Sequence, residues 1–279
     1  MQEEIVVKAP TTEALTPAQI TQKAEDLGVT KTEMSFGRSF ALSIMAGAFI
    51  AMGAMFFSLV VGDPALPFAI QRVLGGFLFC LGLILVVVAG AELFTGNTMI
   101  VMTAASKRIR WSAVWKNWIV VFFGNFLGAL VIVGLVFLTV MSAMNGGQVG
   151  QTMVSVAAGK MHADWLVLFA KGIMCNFLVC LGVWMAYASK TVADKILAVV
   201  FPITAFVACG FEHCVANMFF LPMGALLASC GIAPAGIDPA SVNMLGALYN
   251  WSATVPGNIV GGALMVGMMY WFIYRKKKN

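Results

Sequence analysis

Two stretches of the chain, GAELFTGN at residues 90–97 and GFEHCVAN at residues 210–217, share a glycine, a glutamate and an asparagine at the same spacing, 120 positions apart. Each stretch lies inside a long apolar segment in which its glutamate, Glu92 or Glu212, is the only charged residue. Glycine and polar backbone are tolerated at membrane depth only where they line a cavity or are buried in protein. The two stretches therefore predict two interrupted membrane helices.

A second pair of motifs indicates an internal repeat. An NW pair followed by GN-x-x-G occurs twice with an offset of 133 positions, at residues 117–118 and 124–128 and again at residues 250–251 and 257–261. Both halves thus carry the same signatures in the same order. If each half crosses the membrane three times, an odd number, the two halves have opposite orientations. The sequence predicts two inverted three-helix repeats, at about residues 36–142 and 160–274.

The composition indicates a polytopic membrane protein. Of 279 residues, 61% are hydrophobic and 10% are charged, against roughly 25% charged in a typical soluble domain, which excludes a soluble enzyme or a nucleic-acid binder. The fifth apolar segment would reach about 63 Å as one helix, twice the roughly 30 Å hydrocarbon core, so it must break. The six apolar segments are Phe40–Val61, Val73–Met102, Trp118–Met141, Trp165–Tyr187, Ile196–Ile237 and Ala247–Tyr274.

The basic residues set the expected orientation. Six crossings with an inner N-terminus leave only Arg72, Lys160 and Lys171, of 17 basic residues, on the outer half. Splitting the fifth segment into two full spans would place the RKKK tail outside, against the positive-inside rule. We therefore expect an all-α integral protein of the inner or plasma membrane, with six transmembrane helices and both termini cytoplasmic.

Three regions follow from this topology. Residues 1–35 form a cytoplasmic segment, residues 36–274 the transmembrane channel domain, and residues 275–279 a basic cytoplasmic tail. Thr16-Pro17 resembles an N-cap with proline at the first helical position, which predicts a short interfacial helix that ends near Gly28. A solvated tail is the alternative for this segment. The first residues, MQEEIVVKAP, contain no apolar stretch of the kind that a cleavable signal peptide needs.

The motifs AELFTGN, GFEHCVANM, KNW with FGNFLGA, CNFLVCLGVWM and PGNIVGG, in this order and spacing, resemble the formate/nitrite transporter family over roughly Phe36–Tyr274. The resemblance implies an aquaporin-like protomer within a homopentamer in the lipid bilayer. Each protomer would carry its own pore for small monovalent anions such as formate, nitrite or hydrosulfide. We expect no enzyme activity, cofactor, metal site or nucleic-acid partner, and the six cysteines, which lack CxxC spacing, predict apolar packing.

The resemblance also assigns roles to individual residues. The family's central histidine corresponds to His213 and its partner threonine to Thr95. The outer-vestibule lysine corresponds to Lys160 and its neighbouring amide to Asn176. Two apolar constrictions correspond to Phe79, Leu83, Leu93, Phe94 and Phe206, and the glutamate and asparagine that flank the histidine correspond to Glu212 and Asn217. Lys171 lies in KGIMCN, which is similar to the nitrite-type branch, whereas LGLILVVVAGAELFT is similar to the formate type, so both substrates stay open.

The residues themselves leave several alternatives. His213 is either a hydrogen-bonded core histidine or a proton-exchanging group in a pore, and the five apolar residues could simply be core. Glu92 and Glu212 would cap the half-helices that follow them, which would fix the loops that carry Thr95 and His213. Lys160 and Lys171 are eleven positions apart and would share one face if a single helix began near Lys160. Lys160 would attract anions, and Lys171 would do the same or extend to the membrane surface.

These features predict a channel or proton-coupled carrier for formate or a similar monovalent anion. A bare ion in an apolar constriction costs at least several kcal/mol, so we expect it to be neutralised near Thr95 and His213 by a proton from an imidazolium or from water. Flux would then depend on pH. The alternatives are a nitrite or hydrosulfide channel of the same family and, more distantly, a neutral-solute pore of aquaporin type, although the paired Asn-Pro-Ala signature is missing.

Overall fold

The computed structural model describes residues 13–275, and the regular elements within this range are all helices. The predicted tail is described only at Arg275, and residues 1–12 and 276–279 lie outside the described residues. The helices are α1 (Pro17–Glu33), α2 (Phe36–Val61), α3 (Phe68–Leu85, continued by a π-helical turn, Val86–Gly90), α4 (Phe94–Asn97), α5 (Val101–Ala105), α6 (Trp111–Leu138), α7 (Gln148–Met161), α8 (Trp165–Ala188), α9 (Val192–Ala208), α10 (Cys214–Ser229), α11 (Met244–Ile259, continued by π-helical Val260–Met268) and α12 (Met269–Tyr274).

Five helical stretches of the described chain are long and apolar enough to cross a membrane, namely Phe36–Val61, Phe68–Gly90, Trp111–Leu138, Trp165–Ala188 and Met244–Tyr274. The 42-residue apolar segment breaks, as predicted, into α9 and α10, which have 17 and 16 residues. The second segment is interrupted as well, between Gly90 and Phe94. Both predicted interruptions are therefore present.

Glycine begins each interruption. Gly90 has a φ of +87° and Gly210 a φ of +71°, in the left-handed region that only glycine adopts without steric cost. The chain then runs extended, and the amide of each following glutamate bonds to a carbonyl of a neighbouring helix. Glu92 N donates to Leu42 O at 3.2 Å, and Glu212 N donates to Lys171 O at 3.3 Å.

The asparagine of each GN-x-x-G motif bonds to two backbone groups at the break and to one carbonyl of a neighbouring unbroken helix. Asn125 Oδ1 accepts from Phe94 N at 2.9 Å, and its Nδ2 donates to Ser43 O and Glu92 O. Asn258 repeats the pattern with Cys214 N, Gly172 O and Glu212 O, each at 2.8 Å. Since buried backbone groups need partners, these two asparagines hold the interrupted helices in place.

The final glycine of each motif lets two helices approach closely. A Cβ on Gly128 would collide with the backbone of Ile44 in α2, and a Cβ on Gly261 would collide with the backbone of Ile173 in α8. Small residues serve this purpose at contacts between membrane helices. The final glycine of the motif therefore allows close packing of a long helix, and the asparagine side chain supplies the amide that bonds to the backbone at the interruption.

Helix α1 begins as the sequence predicts but ends later. Thr16 and Gln19 form a reciprocal capping box with Pro17 at the first helical position. The predicted end near Gly28 is wrong, because the helix continues to Glu33. Gly28 instead packs against Thr103, with no room for a Cβ. Ile20, Thr21, Ala24, Glu25 and Gly28 are buried, so the described part of this segment is a packed helix and not a solvated tail.

Candidate functional site

The structure brings Thr95 and His213 together from the two interruptions. Thr95 lies in α4 and His213 is the N-cap residue of α10. Thr95 Oγ1 and His213 Nε2 are 3.1 Å apart, and the two residues are 0% and 3% exposed. Each interruption thus contributes one side chain to a buried hydrogen bond.

The second nitrogen of His213 fixes the proton positions of this pair. Nδ1 accepts a hydrogen bond from the backbone amide of Ala216 at 3.0 Å, so Nδ1 carries no proton in this geometry. In a neutral imidazole the proton is then on Nε2, which donates to Thr95 Oγ1. An imidazolium would need a proton on Nδ1 as well, and this would remove the cap of α10. The geometry therefore favours neutral His213.

A cavity of about 290 Å³, lined by residues of α2, α3, α7, α8, α9, α10 and the second interruption, reaches His213. We call it the vestibule. The Phe79 ring meets the Phe206 ring edge-on at 5.7 Å, and Phe206 stacks on the imidazole of His213 at 5.7 Å between centroids. Aromatic carbon therefore adjoins the imidazole within the cavity. Residues that line the vestibule include Phe79, Phe206, His213, Arg72, Lys160, Lys171 and Glu212.

The vestibule carries net positive charge when His213 is neutral, because three cations and one carboxylate line it. Lys160 Nζ lies 3.0 Å from Glu212 Oε1, with side chains 15% and 4% exposed. Lys171 has no carboxylate within 4 Å among residues 13–275. Such a cavity concentrates anions, since low-dielectric walls focus the field of its cations.

Lys160 and Lys171 do not share a helix, so the single-helix prediction is wrong. Lys160 lies at the end of α7 and Lys171 in α8. The helical register breaks between them because Asp164 caps a new helix by accepting from Leu166 N at 2.9 Å. Both side chains nevertheless line the vestibule.

The predicted capping roles of the two glutamates are also wrong. His213 caps α10, and Leu93, at the start of α4, makes no side-chain cap. Glu212 instead accepts from Lys160 and, at 2.7 Å, from Asn217 Nδ2. The glutamates therefore pair with lysine and asparagine side chains, and they fix the interruptions through those contacts.

The two halves contain matching polar clusters. In the Lys160 cluster, the Asn217 amide joins Glu212 to Asn250 Oδ1 at 2.8 Å. In the Lys31 cluster the equivalent bond, from Asn97 Nδ2 to Asn117 Oδ1, is 3.0 Å. The Lys31 ammonium lies 2.7 Å from Glu92 Oε1. The clusters consist of Lys31, Glu92, Asn97 and Asn117, and of Lys160, Glu212, Asn217 and Asn250.

The clusters differ in one bond, and one of their lysines was not predicted. Asn97 Oδ1 accepts from Lys31 at 2.8 Å, whereas the buried Asn217 Oδ1 has no partner in the described part of the chain. The motifs do not indicate Lys31. A weak signal exists, because Lys31 and Lys160 each lie five positions before the first residue of a long helix.

Asn176 does not line the vestibule, contrary to its predicted place beside Lys160. It is 0% exposed, and its Nδ2 donates to Thr95 O at 3.1 Å and Asn258 O at 2.7 Å. It therefore supports the backbone of the threonine that contacts His213. The predicted constriction residues Leu83, Leu93 and Phe94 are buried but do not line the vestibule either.

Comparison with known proteins identifies the family. Residues 18–272 match the family model described as formate/nitrite transporter. The chain belongs to the formate/nitrite transporter family. Membership in this family classes the chain with transporters rather than enzymes, as the sequence predicts, and favours an anion pathway over the neutral-solute alternative.

Named relatives cover nearly the whole chain. The formate channel FocA of Escherichia coli K12 is 38% identical over 275 residues, which is 95% of this chain and 96% of the relative. The formate channel FocA of Haemophilus influenzae is 38% identical over 91% of this chain and 93% of its own. A solved structure described as a pentameric formate channel with formate bound matches with a TM-score of 0.77 at 38% identity, covering 86% of this chain and 98% of that one.

Proposed function

We propose that this chain transports formate across the membrane as a homopentamer, with a separate pathway in each protomer. The named formate channels among its relatives support this substrate, and the pentameric formate-bound channel supports the assembly. The observation that carries the proposal is the buried Thr95–His213 hydrogen bond beside a positively charged, aromatic-lined cavity. This arrangement can attract a small anion and then offer it hydrogen-bond donors at the point where water is excluded.

The electrostatics of the vestibule supply the first step. Lys171, with no carboxylate beside it in the described range, attracts the anion, and Lys160 adds to the field although Glu212 offsets part of it. The anion next meets the Phe79 and Phe206 rings, where a bare charge loses its water. That loss costs several kcal/mol or more, so protonation to the neutral acid lowers the barrier.

The Thr95–His213 pair supplies the second step. Because Nε2–H donates to Thr95 Oγ1, the threonine hydroxyl hydrogen is available to a carboxylate oxygen, and the two bonds strengthen each other. Protonation of His213 at Nδ1 would compete with the bond from Ala216. We therefore assign the proton to water in the vestibule, which regains it from the solution on that side of the membrane, and not to an imidazolium. The imidazole acts as a neutral donor. The acid would then pass a second apolar constriction at Leu83, Leu93 and Phe94.

We also propose six crossings in two inverted repeats, in an aquaporin-like protomer of the inner or plasma membrane with both termini cytoplasmic. The matching Lys31 and Lys160 clusters, the matching roles of Asn125 and Asn258, and the pairing of α9 with α10 around a break support the repeats. The distribution of basic residues supports the orientation. Exposed apolar side chains along α6, from Trp111 to Leu138, provide a surface for lipid or a neighbouring protomer.

Two substitutions at His213 separate its transport role from its capping role. His213→Asn keeps an N-cap acceptor for Ala216 N, because asparagine is a favoured cap, but it removes the donor to Thr95. His213→Phe removes both. We expect formate uptake into proteoliposomes to fall at least tenfold in both variants, while the melting temperature falls clearly only in the Phe variant. Wild-type uptake rates in the Asn variant would refute the role of the imidazole as a donor.

A further inference from the structure

Arg72 is a third cation of the vestibule to which the family motifs assign no role. It lies in α3, is half-buried, and reaches the end of α9. Its Nε donates to Ala208 O and its Nη2 to Val207 O, both at 2.9 Å. The last carbonyls of a helix lack intrahelical partners, and a cation is favoured at this end of the helix dipole. Arg72 therefore fixes the end of α9 immediately before the interruption.

Only one edge of the guanidinium is used in these contacts. Nε and Nη2 form the side edge of the fork, and Nη1 has no acceptor within the described residues. The two Nη1 hydrogens and the second Nη2 hydrogen thus leave the end-on edge available. Two parallel N–H groups at this edge match the two oxygens of a carboxylate, whereas a lysine ammonium offers only a point charge.

The other two cations of the vestibule differ from Arg72. Lys160 is 3.0 Å from the Glu212 carboxylate, which offsets its charge. Lys171 carries a single ammonium on a flexible stem. Arg72 is held at two points, so its free edge is pre-organised and loses little entropy on binding an anion.

We propose that the end-on edge of Arg72 binds both oxygens of a planar two-oxygen monoanion in the vestibule before the anion reaches Thr95 and His213. This inference rests on the proposed transport of formate. Arg72 would then determine affinity for this anion class, which includes carboxylates and nitrite, while Thr95 and His213 act on the anion that it has delivered.

The test compares Arg72→Lys and Arg72→Gln with wild type in proteoliposomes, measuring initial rates of labelled formate uptake against concentration. The Lys variant keeps the positive charge but loses the two-donor fork, so its half-saturating formate concentration should rise about three- to tenfold. The Gln variant also loses the charge, so its half-saturating concentration should rise further. Maximal rates should stay within about twofold of wild type, an expectation that follows from binding before the constriction. The inhibition constant of nitrite against formate should rise in parallel. Arg110→Lys, at an exposed arginine at the start of α6, is the matched control and should change nothing.

Each outcome supports or overturns the inference. A lower maximal rate at an unchanged half-saturating concentration would mean that Arg72 only positions α9, and it would overturn the binding role. Unchanged kinetics in both variants would overturn it as well. If one variant fails to reconstitute, the half-saturating formate concentration of the other variant still tests the binding role. Absence of formate uptake by the wild-type protein would instead refute the proposed function itself, and this inference with it.

Discussion

Replacing Asn258 by alanine tests whether the GN-x-x-G asparagines hold the interrupted helices. Asn258 is 0% exposed and bonds to Cys214 N, Gly172 O and Glu212 O at 2.8 Å each. Alanine removes all three bonds, and the cavity left by the side chain is enclosed by protein. The amide that begins α10 and the Glu212 carbonyl would then lack partners, whereas the Gly172 carbonyl lies inside α8 and keeps its helical partner.

The cost follows from the number of groups left unsatisfied. A buried polar group without a partner costs about 1–3 kcal/mol, and with partial relaxation the two unsatisfied groups of Asn258→Ala should cost about 2–5 kcal/mol. A change of 1 kcal/mol shifts the melting temperature of a chain of this size by about 2–4 °C. The expected decrease is therefore about 4–20 °C, measured by thermal unfolding of the purified protein in detergent. Formate uptake should fall as well, because His213 directly precedes α10.

A matched control comes from an exposed asparagine. Asn243 caps α11 by accepting from Leu245 N and Gly246 N, and Asn243→Ala should cost only about 1 kcal/mol. A decrease in melting temperature for Asn258→Ala no larger than that for Asn243→Ala would refute the assigned role. Asn125→Ala should match Asn258→Ala, since it makes the equivalent bonds in the first half.

Three further predictions concern the side-chain pairs. Thr95→Val keeps the shape of the side chain but leaves the imidazole without an acceptor, so formate uptake should fall at least tenfold; wild-type uptake would contradict the pathway. In a double-mutant cycle of Lys160→Met and Glu212→Gln, each single change leaves a buried partner unpaired and should destabilise by about 3–5 kcal/mol, whereas the double variant should recover part of this loss; additive melting shifts would argue against the pair. A hydrogen bond from Arg108 lowers the pKa of Asp26. The contribution of the Arg108–Asp26 pair to stability, below about 1 kcal/mol at this exposed site, is therefore present at neutral pH and lost as pH falls through that lowered pKa. Protease protection of α1 should decrease on acidification in wild type but stay low at all pH values in Asp26→Asn, and identical pH profiles would contradict the assignment.

The sequence predicts most of the helical framework because side chains determine it. The glycines at 90 and 210 must adopt a left-handed φ, and the asparagines at 125 and 258 must satisfy the broken backbone, so residue identity recurs in both halves. The matching contacts that α2 and α8 make to the two interruptions cannot be predicted from the sequence in this way. Their contacts to the interruptions use the carbonyls of Leu42 and Lys171, and a main-chain oxygen requires no particular side chain.

The site is less predictable than the helical framework, because its contacts either join distant residues or use main-chain groups that require no particular side chain. The Thr95–His213 contact could be anticipated only through the family resemblance, because the residues are 118 positions apart. The bond from Ala216 to His213, which favours the neutral imidazole, depends on the geometry of one helix start. Arg72 contacts only main-chain carbonyls in α9, so no partner residue signals its position.

Electroneutral movement of formate is the central claim, and simultaneous recording of formate uptake and internal pH in proteoliposomes at a clamped membrane potential tests it most directly. If the anion crosses the constrictions as the neutral acid, one proton should enter with each formate, and the initial rate should not change when the potential is varied. A rate that follows the imposed potential, without a matching change in internal pH, would show that the bare anion passes and would contradict the account.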